Sequence, residues 1–182
     1  MKDDEMNEVH NQIIGWTNNC DTKSSIILAF IGVLVSIAFT SDYILQTIES
    51  QIQNIICYWN DGIGSFSLPA TLMFLFLLCF TLLIGVSSVY SIAALTANIK
   101  CKDDSIIFFG KITTKTKEEY IEQAQNISDE EYKKDKLIQI YNCSKICDNK
   151  FFCYNHSIAY LRYSLLSFVG FVLSVIIINA IN

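Results

Sequence analysis

The sequence predicts an all-α membrane protein, with three transmembrane helices and a helical cytosolic region between the second and third spans. Three observations carry this. Of 182 residues, 52% are hydrophobic and only Pro69 is a proline. The charge-free stretches run from Ser24 to Ser41, from Gly62 to Ile99 and from Tyr163 to Asn182, and a span needs roughly 20 predominantly apolar residues. Ten of the thirteen basic residues fall between Lys100 and Asn155, so the positive-inside rule assigns that segment to the cytosol. The implied division is a cytosolic amphipathic arm over 1–23, spans over 24–45, 68–99 and 158–182, a periplasmic loop over 46–67, and the cytosolic region over 100–157. The N-terminus is then cytosolic and the C-terminus periplasmic.

The arm places Met6, Val9, Ile13, Trp16 and Cys20 at helical intervals, one apolar stripe to pack on the cytosolic segment. Its acidic flank, Asp3, Asp4, Glu5 and Glu8, is the wrong sign for a signal peptide, so the first block reads as a retained span from about Ile26 to Leu45. Within it Gly32 and Ser36 form a small-xxx-small pair. From Gln46 to Ser67 there is no Lys or Arg. Ile48, Ile52, Ile55 and Ile56 mark one face of a short helix there, Tyr58 and Trp59 suit an interface, and Asn60-Asp61-Gly62 reads as a turn.

Pro69 opens the second span, where its missing N–H costs nothing. The inner half of that span, with Gly85, Ser87, Ser88, Ser91, Ala93 and Ala94, is rich in small residues and should face protein. Ser105 to Gly110 is a compact apolar patch, either tucked under the bundle or a strand-like cover. Thr116-x-x-Glu119 and Ser128-x-x-Glu131 fit the capping box, predicting one short helix from about Lys117 and another from Asp129. The second meets no Gly or Pro before Gly170. Its stripe, Leu137, Ile140, Tyr141, Ser144, Cys147 and Phe151, runs on toward the third span. Arg162 stands at the inner boundary.

Little here points to catalysis. The ten lysines from Lys100 to Lys150 are matched by ten acids, so no basic stripe for a nucleic-acid polymer exists. The seven cysteines are scattered, and all but Cys57 and Cys79 fall on the reducing side. Cys143, Cys147, Cys153 and His156 lack the CxxC knuckle usual in structural zinc sites, so no metal is expected. No nucleophile with a paired base, and no glycine-rich phosphate loop, can be assembled. The spans carry no mid-depth Asp, Glu, Lys or Arg, against an ion-coupled carrier.

Four short motifs then stand in order. Asp21-Thr22-Lys23-Ser24-Ser25 resembles the D-x-K-A-S signature of the membrane-spanning effectors of Pycsar antiphage systems, the PycTM family. Phe108-Phe109-Gly110, Glu119-Tyr120, and Gln139-Ile140 through Ser144, Ile146 and Lys150 resemble that family's F-F-G, E-E-Y and Q-I-x-x-L-S-x-I-x-x-x-K succession. This chain departs at Cys20, Ser25 and Asn142-Cys143. The resemblance implies a non-enzymatic inner-membrane effector with no cofactor, activated by a cyclic pyrimidine nucleotide, cUMP or cCMP, from a partner cyclase, and causing abortive infection by impairing the membrane. A homo-oligomer in contact with membrane lipid is the expected assembly. The ligand-binding candidates are Trp16, Asp21, Lys23, Phe109 and Lys150, aromatic and charged residues on or beside these motifs. The competing reading is a membrane-anchored scaffold whose soluble segment docks a partner.

Overall fold

The computed structural model describes residues 2–61, 68–96 and 105–181. The last residue of the Asn60-Asp61-Gly62 turn, the end of the second span beyond residue 96, and Lys100 and Lys102 lie outside the described residues. Among those described there are six helices and no strand: α1 (Asp3–Thr40), α2 (Asp42–Asp61), α3 (Leu68–Leu95), α4 (Phe109–Ile112), α5 (Lys117–Asn126) and α6 (Asp129–Ile181). Helices α1, α3 and α6 are each long and apolar enough to cross a membrane. The all-α, three-span architecture read from the sequence is therefore present, and the chain is a multi-pass membrane protein.

Two compact units divide the described chain. One combines residues 1–23 with 93–153, the other 24–92 with 154–182. Helices α1 and α6 contribute residues to both.

In the second unit, α1, α3 and α6 pack through positions that recur every seven residues. On α3 these are Ala70, Leu77, Ile84 and Ser91, interleaved with Met73, Phe80, Ser87 and Ala94, all buried or half-buried. A strict seven-residue repeat keeps one seam against its partners by left-handed supercoiling. Ile27, Ile31, Leu34 and Ala38 of α1 meet Phe80 and Ile84 of α3, with Leu161, Leu165 and Phe168 of α6 against them. The α3–α6 contacts run in opposite directions along the two chains: the Phe80 and Phe168 rings lie 5.1 Å apart, and the Tyr90 and Tyr160 rings 5.7 Å. The pair is thus antiparallel.

The seam is more polar than the surface around it. Ser24, Ser87, Ser91 and Ser157 are fully buried, while Leu82, Val89 and Leu166 on the outer faces are 62–66% exposed. Lipid accepts the outer leucines at no cost, and small interior residues let helix backbones approach closely. Gly170 shows the closeness directly. A Cβ placed there would stand 2.9 Å from the Phe76 ring.

The first apolar block does not continue as one helix to Leu45. Helix α1 stops at Thr40, and α2 begins at Asp42 after the non-helical Ser41. Serine is a favoured residue before a helix, and Asp42 places a negative charge in the first turn, where the backbone N–H groups are open. Helix α2 buries Ile44, Thr47 and Gln51 and leaves Ile52, Ile55, Ile56 and Trp59 exposed. Asn179 of α6 anchors it by donating to Thr47 Oγ1 at 2.8 Å. The isoleucine face expected there therefore divides, with Ile48 on the core and the other three outside.

The small residues also divide. Ser87, Ser91 and Ala94 are buried, but Gly85 and Ala93 are exposed, as are Gly32 and Ser36 on α1.

Candidate functional site

The first unit begins with two parallel helices. Asp3 pairs with Lys133 at 3.8 Å, Lys136 donates to Asn7, His10 Nε2 lies 3.8 Å from Cys143 Sγ, and Lys150 meets Asp21. Partners advance together along both chains, so this part of α1 runs in the same direction as α6. Met6, Ile13, Ile140 and Cys147 form the core between them, with Cys143 and Phe151 against it. Burial raises the Cys143 thiol above its ordinary pKa, which keeps it protonated and a weak nucleophile.

The expected stripes are present but differ in phase. Val9 and Trp16 are exposed, and the half-buried positions between Met6, Ile13 and Cys20 are His10 and Thr17. On α6, Leu137 and Tyr141 are likewise exposed, whereas Ile140, Cys147 and Lys150 are buried. The seam follows the three-four alternation of a seven-residue repeat. Polar side chains therefore occupy inward positions that hydrophobicity alone would not pick.

Lys150 is the most consequential of these. It is 5% exposed, and its ammonium donates to Asp21 Oδ1 at 2.5 Å. A buried ammonium is costly without a partner, and Asp21 is that partner. The first motif and the last, 129 residues apart, thus meet as one ion pair. Between them Trp16 and Ile13 of α1 face Ser144, Cys147, Asp148 and Phe151 of α6 across a groove of about 280 Å³.

The other candidates are placed elsewhere. Phe109 is exposed on α4, its ring 4.9 Å from that of the buried Phe108. Lys23 is an exposed residue of α1 one turn before Ile27. The F-F-G motif has a local packing reason: the Phe108 ring lies across Gly110 so closely that a Cβ there would stand 2.7 Å from it. The patch from Ser105 to Gly110 is not strand-like but a bend leading into α4. Ser105 Oγ accepts from the Ile107 and Phe108 amides, at 3.2 and 3.0 Å.

Both capping boxes form as read. Glu119 N–H donates to Thr116 Oγ1 while Thr116 N–H donates to Glu119 Oε2. Ser128 and Glu131 exchange the same pair of bonds, and the Ser128 hydroxyl adds a third at 2.9 Å. These hydrogen bonds hold both glutamates below the ordinary carboxylate range, the backbone bond from Thr116 leading for Glu119 and the Ser128 hydroxyl for Glu131.

A second concavity was not foreseen. Helix α5, the start of α6 and Ser105-Ile106 enclose a cleft of about 560 Å³ lined by Gln123, Asn126, Ile127, Glu131, Lys134, Asp135 and Ile138. Asp135 ties its third wall, since Oδ2 accepts from Ser105 Oγ at 3.0 Å and from Ile106 N–H at 2.9 Å. The spacing of Gln123 and Asn126, three apart on a capped helix, was the available signal. The return of residue 105 to Asp135 was not. Among the described residues no three His, Cys, Asp or Glu side chains are grouped to hold a metal ion.

The profile of the Pycsar effector protein domain, PycTM, matches residues 5–178. The chain is also similar to the Pycsar effector protein GmPycTM of Gulbenkiania mobilis, 29% identical over 162 residues, which span 85% of this chain and 83% of that protein. No solved structure matches it. A match over nearly the whole length, joined to three span-length apolar helices, means that this chain belongs to the Pycsar effector transmembrane family of antiphage defence, a family in which no enzyme activity is implied.

Proposed function

We propose that this protein is the membrane effector of a Pycsar system, activated by cUMP or cCMP from a partner cyclase. It sits in the bacterial inner membrane with the first unit in the cytosol and the C-terminus in the periplasm. Nucleotide binding to the cytosolic unit shifts the packing of a homo-oligomer, impairs the bilayer and aborts the infection.

The observation that carries this reading is the division of labour along α1 and α6. Helix α6 lines the charged cleft of one unit and α1 a wall of the smaller groove beside Trp16, and each supplies a membrane-length apolar stretch to the other unit. A signal received by either helix is therefore received by a helix that also builds the membrane bundle. The outward Gly32 and Ser36 support an assembly, because nothing lies within 4 Å of a Cβ placed at Gly32 and the face stays open to a second copy.

The test is dye release from liposomes of bacterial lipid carrying the purified full chain. The reading expects release on adding cUMP or cCMP and none with cAMP. Release unchanged by either pyrimidine nucleotide contradicts it and favours a passive anchor.

A further inference from the structure

The 560 Å³ cleft in the crook of α5 and α6 has features that the apolar groove at Trp16 lacks. Its size suits one mononucleotide, with pocket volumes for small ligands starting at about 300 Å³. Its side chains are divided by role. The two carboxylates are committed to holding the walls, Glu131 through its capping bonds with Ser128 and Asp135 through Ser105 and Ile106. What remains to hydrogen-bond a ligand is two carboxamides and the Lys134 ammonium, whose charge also reaches Glu131, above an apolar floor.

Gln123 is oriented by its neighbour. Lys115 Nζ donates to Gln123 Oε1 at 2.7 Å, which leaves the amide NH2 as the free end. Asn126, on the same face of α5, offers a donor and an acceptor. Together they match the carbonyl and ring-nitrogen edge of a pyrimidine. Ile106, Ile127 and Ile138 supply surface for its flat face, and Lys134 a single positive charge for a single phosphodiester.

Helix α5 is also loosely held. It has ten residues, none of them buried, and a free helix of that length is marginal in water. The capping boxes fix its start and the start of α6, yet none of its side chains is buried to fix the angle between the two. A ligand bridging Gln123 and Asn126 to Lys134 would supply the missing contacts.

From this we infer that the cyclic pyrimidine nucleotide is seated between α5 and α6, read by Gln123 and Asn126 and charge-paired with Lys134, and that its binding pins α5 against α6. The inference rests on the nucleotide reading above and adds its location.

Calorimetric titration of the full chain in lipid nanodiscs with cUMP and cCMP tests it, using Asn126→Leu, Lys134→Met and Trp16→Ala. All three positions are exposed, so the folds should survive, which circular dichroism verifies. The expected result is binding of one nucleotide, weakened roughly tenfold or more by Asn126→Leu and by Lys134→Met through loss of one or two hydrogen bonds each, and unchanged by Trp16→Ala. Hydrogen exchange should slow over 117–126 when that nucleotide is added. Wild-type affinity in the two cleft variants, loss of binding in Trp16→Ala, or unaltered exchange in α5 would overturn the location while leaving the effector reading intact. Failure of the wild type to bind either nucleotide would sink both.

Discussion

Two stretches of α6 share one period and have opposite chemistry. Around Ile140 and Cys147 the core is apolar, with the ion-paired Lys150 as its buried charge, and the outward faces carry Lys133, Lys134, Lys145 and Asp148. Beyond Cys153 the seam takes in Ser157, Ser164 and Ser174, and the outward faces carry Leu166, Val169 and Leu173. The difference follows from the solvent. In water the hydrophobic effect drives apolar residues inward. In lipid it gives no preference, and close packing with interhelical hydrogen bonds takes over. At Ser157 this is explicit: its hydroxyl and that of Ser87 each reach the other's carbonyl, at 3.0 and 2.9 Å, and Ser91 Oγ lies 2.6 Å away.

The comparison can be broken most strongly at Ser157. Replacing Ser157 by Leu puts a large side chain into a fully buried site and removes the reciprocal bonds. We expect a loss of about 3 kcal/mol, read as a fall in the melting temperature of the bundle in detergent. Leu166→Ala on the outer face should change it by well under 1 kcal/mol.

In the first unit the corresponding probe is the Asp21–Lys150 pair. Asp21→Asn leaves a buried ammonium without its counter-charge and should cost about 1–3 kcal/mol, the lower end reflecting the partial exposure of Asp21. Lys150→Met in the same background should restore most of that stability. Hydrogen exchange of residues 3–23 measures both.

Gly110→Ala sharpens the account of the F-F-G motif. The buried Phe108 ring must move to admit a Cβ, and a cost of about 1 kcal/mol is expected, seen as faster exchange over 105–112.

The smallest effect is that of pH on the capping boxes. Glu119 and Glu131 titrate below their ordinary value in the folded chain. Their contribution is complete above the ordinary glutamate pKa and is lost as pH falls through the lowered one. Helix α5 should fray first in acid, and Glu119→Gln, which removes its capping carboxylate, should weaken its pH dependence.

Much of this was legible from residues alone. The capping boxes depend on four neighbouring residues each, so Lys117 and Asp129 could be read as helix starts with no tertiary information. The spans were legible because lipid imposes a length. Inward faces were harder. Trp16, Leu137 and Tyr141 are apolar and exposed, while Lys150 and Ser157 are polar and buried, so a reading by hydrophobicity selects the wrong side wherever pairing or lipid changes the rule. The Asp21–Lys150 pair and the Asp135 wall of the cleft join distant positions, and only the order of the motifs hinted at the first.

The central claim, that α6 keeps one seven-residue seam while its chemistry inverts, is tested most directly by spin labels placed singly from residue 156 to 178 on a cysteine-free chain in nanodiscs. The account predicts oxygen accessibility that is low at Ser157, Ser164 and Phe171 and high at Leu166, Val169 and Leu173, repeating every seven residues. Maximal accessibility at the serines would contradict it.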